Sequence, residues 1–193
     1  MPSFFLRPGC AGMAMWAVAA VTQAQTLPWS VDRQQTRVFW EVRHFGTSTS
    51  RGRFDDLDVQ LRLDRDAGRG ELSVTVGTAS VDTGVPALDG VLRGDAFFAS
   101  TAWPQAWFVS RQFRFDGPRV TEVVGELTLR GTSLPFTLRA SHFGCHVRPE
   151  DGREVCGGDF GGELRRGDFG ITQGLPLVGD RVRVVVQVEA VTP

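Results

Sequence analysis

Apolar and polar residues alternate along most of the chain. In DLDVQLRLD, Leu57, Val59, Leu61 and Leu63 fall on one face and Asp58, Gln60, Arg62 and Asp64 on the other, the period of two that a half-buried strand requires. The same period runs through RVFWEVRH (Val38, Trp40, Val42, His44), ELSVTV (Leu72, Val74, Val76) and LPFTLRASH (Leu134, Phe136, Leu138, Ala140, His142). It returns in RVRVVVQVEA, where Val182, Val184, Val186, Val188 and Ala190 oppose Arg181, Arg183, Gln187 and Glu189. With WFVSRQFRF, RVTEVVGELTLR and GELRRGDFGI the expectation reaches about eight strands. Between them, DRDAGRG, FDGPR and RGTSLP carry the Gly, Asp and Pro of turns. One stretch breaks the period: in ALDGVLRGDAFF, Leu88, Val91, Leu92 and Phe98 stand at helical spacing, which predicts a short helical insertion.

Strands with one apolar and one polar face, joined by short turns, predict a single all-β antiparallel domain, either a closed barrel or a sandwich. An eight-stranded barrel has an interior just wide enough to be filled by side chains or to hold one small ligand. Aromatic content bears on that choice. The chain has 14 phenylalanines and 5 tryptophans, and only Phe4, Phe5 and Trp16 precede residue 25. Such rings either pack a core or line a cavity, and composition does not separate the two.

The N-terminus has a different character. Arg7 is the one charge before the small and apolar run from Ala11 to Val21, which leads to Thr22, Gln23 and Ala24. This layout predicts a secretory signal peptide over 1–24, too short to span a bilayer, and a mature barrel domain over 25–193. Cys10 leaves with the signal peptide, so Cys145 and Cys156 remain in a compartment where disulfides persist. We expect them to be joined, with Pro149-Glu150-Asp151-Gly152 turning the loop between them. Metal held by His142, Cys145, His146 and Cys156 is the rival reading, and the compartment and strand phase argue against it. All 21 basic residues are arginine and are interspersed with 22 acidic ones. That balance gives no electrostatic footprint for nucleic acid, and no second apolar run could span a membrane. The expected location is the periplasm.

Several motifs in order then resemble the YceI-like family of exported lipid-binding proteins. WSVDRQQTRVFWEVRHFGTSTSRGRF is similar to the family's opening, with Trp40, Val42, His44, Gly46, Gly52 and Phe54 in place. ASVDTG looks like its Ser-x-Asp-Thr-Gly element at Ser80, Asp82, Thr83 and Gly84. LDGVLRGDAFFAS resembles its helix at Asp89, Leu92, Arg93, Phe97 and Phe98. VVGELTLRGTSLPFTL looks like its hairpin, with the proline at Pro135, and LRRGDFGI like its Arg-Ser-Asp-Phe-Gly, with Gly167 in place of serine. The resemblance implies a lipocalin-like barrel around an apolar tunnel for a polyisoprenoid chain, such as an isoprenoid quinone or a polyprenyl phosphate. It implies no catalytic residue, no metal and no required cofactor.

Trp40, Phe54, Phe97, Phe98, Phe108, Phe113, Phe136 and Phe143 form the pool of expected tunnel aromatics. Strand phase turns His44 and His142 inward, where an imidazole could meet a quinone carbonyl or a phosphate or else be structural. Arg111, in phase with Trp107, Val109, Phe113 and Phe115, is the third head-group candidate. Arg93 and Arg166 are expected to pair with Asp89, Asp95 or Asp168, and Asp82 and Thr83 to form a turn or helix entry. Two other functional classes stay open: an interaction module with a filled barrel, and a hydrolase using His44 with Asp82, which lacks a nucleophile motif. A homodimer is compatible with the reading. The mature exported chain is expected to start near Gln25 and to contain no free thiol. Intact mass with and without thiol alkylation checks both, and two alkylated cysteines would refute the pairing.

Overall fold

The computed structural model describes residues 28–193; the signal-peptide expectation over 1–24 falls outside the described residues. In chain order the strands are β1 (Pro28–Val31), β2 (Arg37–His44), β3 (Ser48–Phe54), β4 (Leu57–Asp64), β5 (Arg69–Gly77) and β6 (Val81–Asp82). Helix α1 (Pro86–Arg93) follows, then β7 (Gln105–Asp116), β8 (Arg119–Leu129), β9 (Thr132–Val147), β10 (Glu154–Arg165) and β11 (Val178–Val191). The sheet is antiparallel and runs β1-β4-β5-β7-β8-β9-β10-β11, with β1 pairing β11 to close it into an eight-stranded barrel.

Closure depends on β11 changing partner along its length. Ala190 and Val191 pair with β1, whereas Val182 to Gln187, and then Val178, pair with β2. From β2 the sheet continues through β3 to β6. One end of the barrel is therefore closed by the four-residue β1, and the other is widened by the β2–β3 hairpin. The closed end is tied in several ways. Trp29 of β1 donates its indole N–H to the Leu63 carbonyl at 2.9 Å, Arg65 lies over the Trp29 ring and pairs with Glu154. Cys145 and Cys156, facing one another across β9 and β10, are disulfide-bonded with Cα atoms 4.1 Å apart.

The alternating segments of the sequence form the staves as expected, but three differences have physical causes. β1 and β6 are too short to show a period, and the Ser/Thr/Arg/Gly composition of β3 hides one. The expected strand GELRRGDFGI is the end of a longer one: β10 starts at Glu154, its alternation masked by four glycines. The chain then leaves the sheet at a 3-10 turn over Arg166–Phe169. α1 begins with Pro86, whose fixed φ suits the first turn, and stops at Arg93. Phe97 and Phe98 thus sit in the following turn rather than on the helix. Leu92 faces the interior while Val91 is exposed.

Two β-bulges matter for the site. In β7 the register passes from Ser110 opposite Gly125 to Gln112 opposite Val124, leaving Arg111 as an extra residue. In β9, His142 faces Asp159 but Ala140 faces Phe160, leaving Ser141 extra. Each bulge reverses the inward and outward phase beyond it, and each is fastened by a serine. Ser110 Oγ donates to the Val124 carbonyl at 2.8 Å, and Ser141 Oγ to that of Asp159 at 3.1 Å.

The disulfide closes an 11-residue separation, so its loss is expected to cost about 3 kcal/mol on loop-closure grounds. Comparing denaturant midpoints of the oxidised chain and the Cys145→Ala/Cys156→Ala variant tests this. Equal midpoints would mean that the other ties at that end suffice.

Candidate functional site

The inward face of the wide end encloses a cavity of about 340 Å³. β2 contributes Val38, Trp40 and Val42, and β11 contributes Val178, Val182 and Val184. Across the bore stand Val76, Ala106, Leu127 and Leu164, so the wall is almost wholly hydrocarbon. α1 covers this end with Leu88 and Leu92, and the turn after it adds Phe97 and Phe98. Phe98 meets Phe54 edge to face, with centroids 5.3 Å apart. The mouth lies where lining residues are also exposed, at Leu88 on α1 and at His44 on the end of β2. Apolar surface continues outward there: Phe45 and Leu177, joined by a backbone hydrogen bond of 2.7 Å, are both exposed, as are Val85 and Val91. A second cavity of about 70 Å³ lies toward the closed end, between Trp29, Phe113, Phe143 and Cys156.

Four polar side chains reach the larger cavity: His44, Ser50, Thr78 and Arg166. Thr78 is committed to the Trp103 carbonyl at 2.7 Å. Arg166 is 6% exposed and acts as a clasp. Its guanidinium donates to the carbonyls of Gly179, Ile171, Gln173 and Val178 at 2.8 to 2.9 Å, gathering the segment between the 3-10 turn and β11. Burial pushes this group below its ordinary value and Asp180 opposes the shift, but a guanidinium stays charged. The expected pairing of Arg166 with Asp168 is therefore corrected, because carbonyls take its place. Trp40 adds one more donor: its indole N–H is buried in the cavity wall with no partner among the described residues.

α1 is held by Asp89, which is buried and accepts from the backbone N–H and hydroxyl of Thr83 at 2.8 and 2.6 Å. Asp82 accepts from Gly84 N–H at 2.7 Å and pairs with Arg53, so the expected turn forms. The same pairing separates it from His44. Asp82 faces Arg53, which faces Phe39, five residues along β2 from His44, or about 16 Å of strand. A His44 and Asp82 hydrolytic pair does not assemble.

The aromatic pool divides by depth. Trp40, Phe54, Phe97 and Phe98 line the larger cavity, and Phe113 and Phe143 the smaller. Phe108 and Phe136 lie in the core between them. Among head-group candidates His44 stands at the mouth. His142 and Arg111 do not: both are exposed on the outer surface, because the bulges at Ser141 and Arg111 reverse the phase that was read as continuous. The same reversal brings Phe143 and Phe113 inside. Aliphatic lining residues such as Val182 and Val184 were visible in the alternation, and only the emphasis on rings passed over them. Ser50 and Arg166 carried no such signal.

A chain of this architecture matches the model of the YceI-like domain over residues 29–190. The protein belongs to the YceI-like family. Among its relatives, Protein YceI of Shigella flexneri is 31% identical over 166 residues, covering 84% of this chain and 86% of that one. BcnA of Burkholderia cenocepacia shares the fold at a TM-score of 0.67 and 21% identity, covering 83% of this YceI-like chain and 99% of the other. A domain from Saccharophagus degradans, described as polyisoprenoid binding and implicated in plant cell wall breakdown, superposes with a TM-score of 0.64 at 15% identity. It covers 88% of this chain and 100% of its own.

Two outcomes follow for the lid of this YceI-like barrel. Removing the clasp by Arg166→Met strands four carbonyls and is expected to cost at least about 3 kcal/mol in urea unfolding, with faster amide exchange over 171–179. The hydrogen bonds from Thr83, with the nearby Arg93, hold the Asp89 carboxyl below its ordinary value of 3.8. Its contribution is therefore complete above that value and is lost as the pH falls through the lower folded value. Thermal melts should show Asp89→Asn less stable than wild type at neutral pH, and the gap should close below pH 3.8. A gap independent of pH would refute the assignment.

Proposed function

We propose that the protein is a periplasmic carrier that holds one isoprenoid lipid, of the quinone or polyprenyl phosphate type, with its tail in the larger cavity. The observation that carries this reading is the distribution of polarity: hydrocarbon walls through the depth of the bore, and imidazole and hydroxyl groups at its mouth. Burying an apolar tail there gains about 0.8 kcal/mol per methylene-sized group. Affinity thus comes from length and shape, and a few polar contacts orient the head, as in most small-ligand pockets. His44 and Ser50 are placed to meet an oxygen-bearing head group, and the uncommitted N–H of Trp40 offers a donor deeper in.

Support also comes from the family and from the neighbouring fold described as polyisoprenoid binding. The exposed apolar rim at Phe45, Leu88, Val91 and Leu177 suits a ligand that arrives from an apolar phase. Binding rather than catalysis fits a cavity whose wall is almost wholly hydrocarbon, and the open cavity disfavours the reading of a filled interaction module.

Organic extracts of the mature protein, purified from its own periplasm without detergent, are expected to contain a stoichiometric isoprenoid by mass spectrometry. His44→Ala or Ser50→Ala should weaken its retention by about tenfold, the value of one hydrogen bond. An extract that stays empty after loading with quinone and polyprenyl phosphate would overturn the proposal.

A further inference from the structure

Between the two cavities lies a row of side chains that lines neither of them. On β7, Ala106 faces the larger cavity and Phe113 the smaller, and Phe108 stands between them. On β8, Leu127 and Val123 bracket Gly125 in the same way; on β10, Leu164 and Phe160 bracket Gly162. On β9, Phe136 pairs directly with Gly125 and stands one inward position above Leu138, which lines the smaller cavity. Across four adjacent strands the row therefore reads Phe108, Gly125, Phe136, Gly162.

Bulk in this row is confined to the two rings. They are 6% and 8% exposed and meet edge to face, with centroids 5.9 Å apart and planes at 89°. A methyl group at Gly125 would come within 2.8 Å of the Phe108 ring, and one at Gly162 within 2.5 Å of the Phe136 ring. Each ring thus takes the space that a side chain of the next strand would otherwise fill, as close-packed interiors demand. Together they fill the space between the two cavities on the β7 to β10 side of the barrel.

We propose that Phe108 and Phe136 are the floor of the ligand chamber and set the longest tail that the protein binds tightly. The proposal rests on the lipid-binding reading and deepens it. A tail gains about fourfold in affinity for each methylene-sized group it buries, and the gain stops where its end meets the rings. Carbons beyond that point stay in water at the mouth. Shortening either ring joins the small cavity to the large one and moves the limit toward the disulfide end.

The test is a competition among all-trans prenyl alcohols of increasing length, offered together to the delipidated mature chain with its disulfide intact and read by native mass spectrometry. For wild type the bound fraction should rise with length to a limit and then level or fall. Phe108→Ala and the conservative Phe136→Leu should enrich the prenols beyond that limit by at least about tenfold. Phe136→Leu keeps apolar packing, and a cooperative unfolding transition establishes that each variant is folded. A wild-type affinity that climbs without a limit, or folded variants with the wild-type length profile, would overturn the floor while leaving lipid binding intact. Failure of the wild type to bind a prenol of any length, with the carrier's own extract also empty, would overturn both.

Discussion

The constraint on which the molecule depends is that β11 must serve two partners. Its last residues hold β1 and its earlier ones hold β2, so the circumference differs between the ends. A barrel's diameter grows with the strands around it. With one short strand between β11 and β4 at one end, and a hairpin spread from β11 at the other, the bore tapers. The sizes of the two cavities follow, about 340 Å³ under the helix and about 70 Å³ near the disulfide. The narrow end can be filled and stapled, while the wide end needs a lid.

The lid is assembled from parts that are individually weak. α1 is only eight residues long, well below the length at which a helix persists alone. It is held at its start by the Asp89 and Thr83 hydrogen bonds and by Leu92 packing with Trp40, Val42 and Val81. On the facing side, the segment before β11 has no strand pairing of its own and is gathered by Arg166. The helix is held from outside the sheet, whereas two of the four carbonyls that Arg166 gathers, those of Val178 and Gly179, belong to β11, so this clasp ties the segment to the barrel wall.

Most of the barrel was legible because period-two alternation is a direct image of a wall with one wet and one dry face. What escaped had one of two causes. Short or glycine-rich strands, β1 and β10 above all, carry too few side chains to display a phase. Bulges carry a phase and then invert it: His142 lies outside although its series began inside, and Arg111 belongs with the exposed Trp107 and Val109, the inward Phe113 and Phe115 following only after the bulge. Neither bulge has a proline or glycine at the extra residue to announce it. The serine beside one and at the other became informative only once its hydrogen bond was known. The mouth was legible at His44, on a strand with no bulge, but not at Arg166, whose partners are backbone carbonyls that no side-chain pattern encodes.

Those carbonyl partners have a consequence of their own. An arginine latched to a carboxylate can be released by acid, because the carboxylate takes up a proton. Arg166 is latched to four amide oxygens, which do not titrate in water at any pH a cell tolerates, and its own charge is permanent. This latch has no chemical key in the surrounding medium. It yields only to a competitor for the same oxygens or to mechanical displacement, so opening this side of the mouth is a matter of encounter and not of climate.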